Sequence, residues 1–115
     1  MIALAGLDSG SGAAAARELL SGDQDLDAVF ATSDELAIGV MEAAREKGLR
    51  VPADLAVAGF GDIHAASCTT PALTTVRVPA ADQALALARL LLSRLDGRHT
   101  SSVVLPTRLV VRATT

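Results

Sequence analysis

The residues that could do chemistry begin with a glycine-rich turn near the start of the chain. Gly10-Ser11-Gly12-Ala13-Ala14-Ala15 follows an apolar run, Ile2 to Ala5, and precedes an alanine-rich helical stretch. Asp34 follows a second apolar run. A G-x-G-x-x-A turn between a strand and a helix, with an acid about 20 residues further on, is typical of dinucleotide sites. However, Leu7 to Ser9 separate the first run from the glycines, and Asp8 places negative charge where a phosphate would sit. The sequence therefore favours a surface loop in which Asp8 or Ser9 caps the helix.

Other candidate catalytic and metal-binding residues are few. His64, His99 and Cys68 show no spacing typical of a catalytic triad or a metal site, and the P-loop, G-x-S-x-G and H-E-x-x-H patterns are absent from the sequence. The single cysteine excludes an internal disulfide and fits a reducing compartment. We therefore predict no enzymatic activity, no cofactor and no metal ion.

Polar side chains follow two apolar runs that resemble buried strands. Thr32, Ser33 and Asp34 come after one run, and Gly61 and Asp62 come after the next. Ligands of open parallel sheets bind at the carboxyl ends of strands, and hydroxyls and carboxylates suit a sugar or another polyol. The alternative is that the first group only caps a helix, where an acid also complements the helix dipole.

Length and charge narrow the class of protein. The 115 residues suffice for one domain, and the formal net charge is −3 with both signs interleaved, which makes this chain a poor nucleic-acid surface. No apolar run reaches the roughly 18 residues that cross a bilayer. The start of the chain lacks the basic region of a signal peptide.

Apolar runs alternate with helical patterns, which predicts a parallel α/β sheet. Thr32 and Glu35 have the spacing of a capping box, and Gly48 has the position of a left-handed helix end. Leucines and alanines at helical spacing predict an amphipathic helix ended by Gly97. The predicted strands are 2–5, 27–31, 55–60, 74–79 and two short segments around Pro106; the predicted helices are 12–20, one starting near Thr32, and 80–96, with a loop over 61–73.

Several segments resemble the LacI/GalR family of bacterial transcription repressors. They are "DAVFATSDELAIGVMEAAREKGLRVPADLAVAGFGD", "TPALTTVRVP" and "VVLPTRLVVRATT", which occur in this order from about Asp27 to the end. The resemblance implies a three-layer open parallel sheet over residues 1–115, forming part of one lobe of a periplasmic-binding-protein-like type I fold. It also implies a cytoplasmic regulator that binds a sugar-like effector.

The family plan predicts further parts before Met1, namely a DNA-binding helix-turn-helix, the first lobe and the start of the second. The chain is then a partial effector-binding and dimerisation domain, and DNA is a partner only through the absent part. The helix over 80–96 would lose part of its packing partner, which favours self-association. The resemblance implies a homodimer with its contact near the loop from Ile63 to Pro71; the candidate interface residues are Ile63, His64, Ser67, Cys68 and Pro71.

This sequence retains only some of the residues with which LacI/GalR members bind their effectors. Ser33 stands where many members have Asn, and Asp34 follows it as in the family. Gly61-Asp62 stands where the family often has two acids, so the first carboxylate is absent. Many members also have an aromatic residue soon after "LTTV", and this chain has none there. The candidate ligand residues are thus Ser33, Asp34, Gly61 and Asp62. Losing one acceptor, at about 1–3 kcal/mol, predicts that this chain alone binds sugars weakly or not at all.

Two alternatives remain open at this point. One is a fragment of the sugar-binding protein of an ABC transporter, which shares the fold. The other is a nucleotide-binding enzyme that uses the turn at Gly10 to Gly12.

Overall fold

The computed structural model describes residues 6–22 and 26–115. Four helices and four strands follow one another in this part of the chain; the bounds are α1 Ser9–Ser21, β1 Ala28–Phe30, α2 Asp34–Glu46, β2 Ala56–Gly61, α3 His64–Cys68, β3 Thr74–Arg77, α4 Ala80–Leu95 and β4 Arg108–Val110. The strand predicted over 2–5 lies outside the described residues. No helix in the described part is long and apolar enough to cross a membrane.

The strands form one sheet in the order β1-β2-β3-β4. The first three are parallel, with Val29 beside Val57 and Gly59 beside Thr75, whereas β4 pairs antiparallel with β3. The α/β class is therefore confirmed, and the sheet is mostly rather than wholly parallel. Because β1, β2 and β3 are parallel neighbours, their carboxyl ends lie at one edge of the sheet.

The buried core lies where α2 packs against α1 and β2. Its largest fully buried apolar side chains are Leu55, Leu73 and Val57. Ala37, Ala43 and Ala44 of α2 are also fully buried, so small side chains let the helix approach its neighbours closely. A chain with two aromatic residues can therefore build a compact core from alanine, leucine and valine.

Gly12 of the G-x-G turn and Gly39 of α2 lie at the contact between α1 and α2. A Cβ atom on Gly12 would lie 2.5 Å from the backbone oxygen of Leu36. A Cβ atom on Gly39 would lie 2.1 Å from the backbone oxygen of Ser9. Glycine is required at both positions because the two backbones meet there without side chains between them.

The sequence prediction is correct for the carboxyl end of α2 but not for its amino end. Gly48 has φ +75° and follows the helix, as predicted. At the start, the predicted capping box of Thr32 and Glu35 is wrong, because Ser33 is the cap and its hydroxyl accepts from the Leu36 backbone N–H at 3.2 Å. The Ser-x-x-Leu spacing still satisfies one free amide, and Asp34 and Glu35 in the first turn complement the helix dipole.

Helix α4 lies on the face of the sheet opposite the core, where it bounds a cavity with Phe60, so the predicted third layer is present but loosely packed. Helix α4 ends at Leu95 before Gly97, close to the predicted end, but none of its residues is buried. The sheet face opposite the core carries Phe30, Phe60 and Leu109, which are 61%, 38% and 60% exposed. Five leucines of α4 are exposed, and Leu90 is half-buried; the exposed ones are Leu85, Leu87, Leu91, Leu92 and Leu95.

Two further predictions need correction. The predicted loop over 61–73 contains the short helix α3, whose only buried residue is Ala66. Of the two strands predicted around Pro106, only the second forms, as β4; Val103 and Val104, 52% and 92% exposed, have no pairing partner in the described part of the chain. An apolar pair alone does not make a strand when no neighbouring strand offers hydrogen bonds.

Candidate ligand-binding site

The two strand ends that carry the candidate ligand residues meet at one edge of the sheet. The Ile63 backbone N–H, just after β2, donates to Oδ2 of Asp34, just after β1, at 2.8 Å. A Cβ atom on Gly61 would lie 3.5 Å from the same carboxylate oxygen. The structure therefore brings Ser33, Asp34, Gly61 and Asp62 together, as their positions after parallel strands predict.

Asp34 is the centre of this edge and faces inward. The residue is 1% exposed, and its other oxygen, Oδ1, accepts from the Thr75 hydroxyl at 2.5 Å. The Thr75 hydroxyl oxygen in turn accepts from the Asp62 backbone N–H at 3.4 Å. Asp34 thus joins the start of α2 to β3 and to the turn after β2, and direct contact between Asp34 and a ligand stays a prediction.

Asp62 is held by two arginines that sequence reasoning did not select. Its Oδ2 accepts from Nε of Arg77 at 2.5 Å, and its Oδ1 accepts from Nη2 of Arg112 at 2.6 Å. Burial raises the pKa of Asp62, but the hydrogen bonds from Arg112 and Arg77 outweigh it, so the pKa lies below 3.8. The carboxylate is therefore ionised at neutral pH, and its side chain is 6% exposed.

Gly61 has a backbone conformation that favours glycine. Its φ is +133°, and the next residue, Asp62, has φ +57°. An acid at position 61, as in many members of the resembling family, would be strained in this backbone. Glycine at position 61 thus removes a carboxylate and, at the same time, permits a turn geometry that residues other than glycine rarely adopt.

An apolar cavity of about 350 Å³ lies beside this edge, on the sheet face opposite the core. It is bounded by Phe60 of β2, by one side of α4 and by the segment before β4; the lining residues of α4 are Gln83, Ala86, Leu87 and Leu90. Gln83 and Thr107 are its polar side chains. Sequence reasoning missed this cavity because it depends on where α4 and the C-terminal segment lie, which local patterns do not give.

The residues predicted at a dimer contact form a second surface, around α3. His64, Ser67 and Cys68 are exposed, Ile63 is 36% exposed, and Pro71 is half-buried. Pro71 also lines a shallow depression of about 140 Å³ with Met41, Arg45, Leu49, Val51 and Thr70. The depression lies at the carboxyl end of α2, and contact of this surface with a partner stays a prediction.

The glycine-rich turn is arranged as a helix cap. Asp8 is the cap of α1, and its Oδ1 accepts from the Ser11 backbone N–H at 2.9 Å. This hydrogen bond, with a second one from the Ser11 hydroxyl, lowers the pKa of Asp8. A carboxylate thus occupies the place that a pyrophosphate would need, as the capping interpretation predicts.

Comparison with known proteins agrees with this architecture. The family described as "Periplasmic binding protein-like domain" matches residues 2–115. The lactose operon repressor of Rhizobium radiobacter is 40% identical over 99 residues, which are 85% of this chain and 88% of that protein. The chain belongs to the LacI/GalR family.

Solved structures of LacI/GalR regulators have the same fold. The complex of the transcriptional regulator CelR with cellobiose superposes with a TM-score of 0.88 at 40% identity. The match covers 95% of this chain and 34% of the CelR chain. The lac repressor dimer bound to operator and the anti-inducer ONPF gives 0.87 at 32% identity, covering 94% of this chain and 38% of its own. This chain spans about a third of the length of most curated relatives that it matches.

Proposed function

We propose that this chain is the effector-sensing and dimerising part of a LacI/GalR transcription regulator, with no catalysis of its own, acting in the cytoplasm. The observation that carries the proposal is the match of nearly the whole chain to sugar-responsive regulators, together with the polar sheet edge beside an apolar cavity. DNA would be bound by another part of the regulator, since this chain has a net charge of −3.

The sheet edge would supply one wall of the effector site. The Ser33 hydroxyl accepts from the Leu36 amide but can still donate its own proton to a ligand, whereas the carboxylates of Asp34 and Asp62 each already accept two hydrogen bonds. The two acids would then position the edge and add acceptor capacity, since each carboxylate oxygen can accept more than one hydrogen bond. Phe60 would offer an apolar surface to a sugar ring.

Thermal melting in the presence of candidate ligands tests this function against nucleotide binding. Cellobiose is the first probe, because a related regulator is known in complex with it. At about 30 mM, a sugar with a Kd of about 3 mM stabilises the native state by ~1.4 kcal/mol, which raises the melting temperature. We expect such a rise with a sugar and none with NAD or ATP. A rise with NAD or ATP alone would contradict the proposal.

The surface around α3 would be the dimer contact. The support is its exposed position and its continuity with the depression at Pro71, and a related repressor has been solved as a dimer. The self-complementary contact of a two-fold dimer needs one such surface on each copy.

Light scattering coupled to size-exclusion chromatography tests this contact. We expect twice the 11.7 kDa mass of the chain. Ser67→Arg, which adds bulk and charge on α3, should give a monomer, whereas Ser102→Arg at an exposed site in the C-terminal segment should not. If Leu91→Glu on α4 gives the monomer and Ser67→Arg does not, association occurs through α4 and the proposed contact is wrong.

A further inference from the structure

Helix α3 places a thiol and an imidazole side by side. Sγ of Cys68 lies 3.7 Å from Nε2 of His64, which is four residues earlier and about one helical turn away. Both residues are exposed, and the thiol is free. The H-x-x-x-C spacing carries no metal signal if the segment is a loop, as the sequence suggests, but on a helix it brings both side chains to one face.

The separation of the two atoms fits a metal chelate. A tetrahedral zinc ion has bonds of about 2.05 Å to nitrogen and about 2.3 Å to sulfur, which places these ligand atoms ~3.6 Å apart. The observed 3.7 Å therefore needs almost no rearrangement. Thiolate and imidazole are also the pair that thiophilic ions such as Zn²⁺ prefer over carboxylates.

A single chain provides only half of a tetrahedral site here. Among the described residues no group of three or more His, Cys, Asp and Glu side chains could hold a metal ion. Structural zinc sites need four ligands. A second copy that approaches α3 across a two-fold axis would add its own His64 and Cys68 and complete a Cys₂His₂ set.

The geometry points to a zinc half-site formed by His64 and Cys68, completed by the same pair of a second copy. This inference rests on the proposed dimer contact at α3, and it adds a ligand to that contact. Binding moves the thiol proton to solvent, since the thiolate is the ligand, and no oxidation takes place. The association of the regulator would then depend on the thiol and on available metal.

Zinc titration of the reduced full chain tests the inference. We expect one Zn²⁺ per two chains and, at chain concentrations low enough for the metal-free dimer to dissociate, a shift toward the dimer on zinc addition. Co²⁺ in place of Zn²⁺ should give a thiolate-to-cobalt charge-transfer band. Cys68→Ser and His64→Asn should each lose the stoichiometric binding and the band, whereas the matched control His99→Asn should keep both. Cys68 and His64 are exposed, so both variants should keep the wild-type melting temperature.

The other outcomes separate this inference from the proposed dimer. A chain that is dimeric but binds no metal, or binds it equally well in Cys68→Ser, would overturn the zinc site and leave the dimer contact standing. A chain that binds one ion per monomer and stays monomeric would overturn both. A thiol–imidazole hydrogen bond alone would give no cobalt band.

Discussion

Thr75 donates a hydrogen bond from its hydroxyl to Oδ1 of Asp34 at 2.5 Å, across 41 positions of the sequence. The bond joins the middle of the sheet to the start of α2 in a fully buried place, where both residues are at most 1% exposed. It therefore fixes the position of the strand ends at which we propose an effector to bind.

Removing either partner of this hydrogen bond should lower the free energy of unfolding. Asp34→Ala leaves the Thr75 hydroxyl and the Ile63 amide without their acceptor, and Thr75→Val leaves Oδ1 without its donor. Each variant should lose about 1–3 kcal/mol in urea unfolding, because an unsatisfied buried polar group keeps its full desolvation cost. Asp27→Ala, at an exposed acid, should unfold like the wild type.

A double-mutant cycle separates the contact from the individual losses. The double variant should lose less than the sum of the two single variants, with a coupling of about 0.5–3 kcal/mol. Additive losses would show that Asp34 and Thr75 act independently, against the structure.

Gly12 should tolerate no side chain. Gly12→Ala places a Cβ atom 2.5 Å from the Leu36 backbone oxygen, so α1 and α2 must separate. We expect a loss of about 1–3 kcal/mol in urea unfolding. The matched control is Gly10→Ala in the same helix, whose Cβ would meet only the movable Asp8 side chain at 3.1 Å and whose helix propensity improves by up to ~1 kcal/mol. Equal effects of the two substitutions would be inconsistent with close helix packing.

The C-terminal residues should stabilise the amino end of the sheet. The buried Thr114 hydroxyl donates to the Val57 carbonyl oxygen at 2.6 Å and accepts from the Thr74 backbone N–H at 2.8 Å. Thr114→Val should cost about 1–3 kcal/mol and should speed amide hydrogen exchange at Thr74, which loses its acceptor. Thr32→Val, at an exposed threonine, is the control. Unchanged exchange at Thr74 would argue against this hydrogen bond.

The ion pairs of Asp62 should make stability depend on pH below about 4. The pKa of Asp62 is lower in the fold than its ordinary value of 3.8, because Arg112 and Arg77 outweigh the effect of burial. A depressed pKa gives stability that is present above the unfolded pKa and is lost as pH falls through the folded pKa. The wild type should therefore melt above Asp62→Asn at neutral pH, and the difference should shrink in acid.

Asp54 provides a comparison at the surface. Hydrogen bonds from Arg50 lower its pKa to about 2. The difference in melting temperature between the wild type and Asp54→Asn should therefore disappear between about pH 3.8 and pH 2. The effect at neutral pH should be smaller than for Asp62, whose side chain is 6% exposed against 30% for Asp54. A melting-temperature difference for Asp62→Asn that does not begin to shrink as the pH falls below 3.8 would contradict the assigned ion pairs.

Local sequence patterns predicted most elements but few of their partners. The alternation of apolar runs and helical patterns gave β1, α2, β2, β3 and α4, since hydrophobic periodicity and glycine ends are local properties. Helix α3 was missed because its cap, Ile63, makes no side-chain hydrogen bond and its five residues show no periodicity.

The meeting of the two strand ends was predicted, but the hydrogen bonds between them were not. Parallel strands bring their carboxyl ends together, so the positions of Asp34 and Asp62 could be inferred from the order of elements alone. The hydrogen bonds of Asp62 with Arg112, 50 positions away, and of Asp34 with Thr75 depend on the register of β3 and on the path of the C-terminal segment. No short-range pattern contains that information.

Amide NMR of the labelled chain during a cellobiose titration tests the proposed effector wall most directly. We predict weak, saturable shift changes at the amides of Ser33, Gly61 and Gln83, with none at the glycine-rich turn of Gly10 and Gly12. Shift changes confined to that turn, or no change at the sheet edge with any of a panel of sugars at about 50 mM, well above a millimolar Kd, would contradict the account.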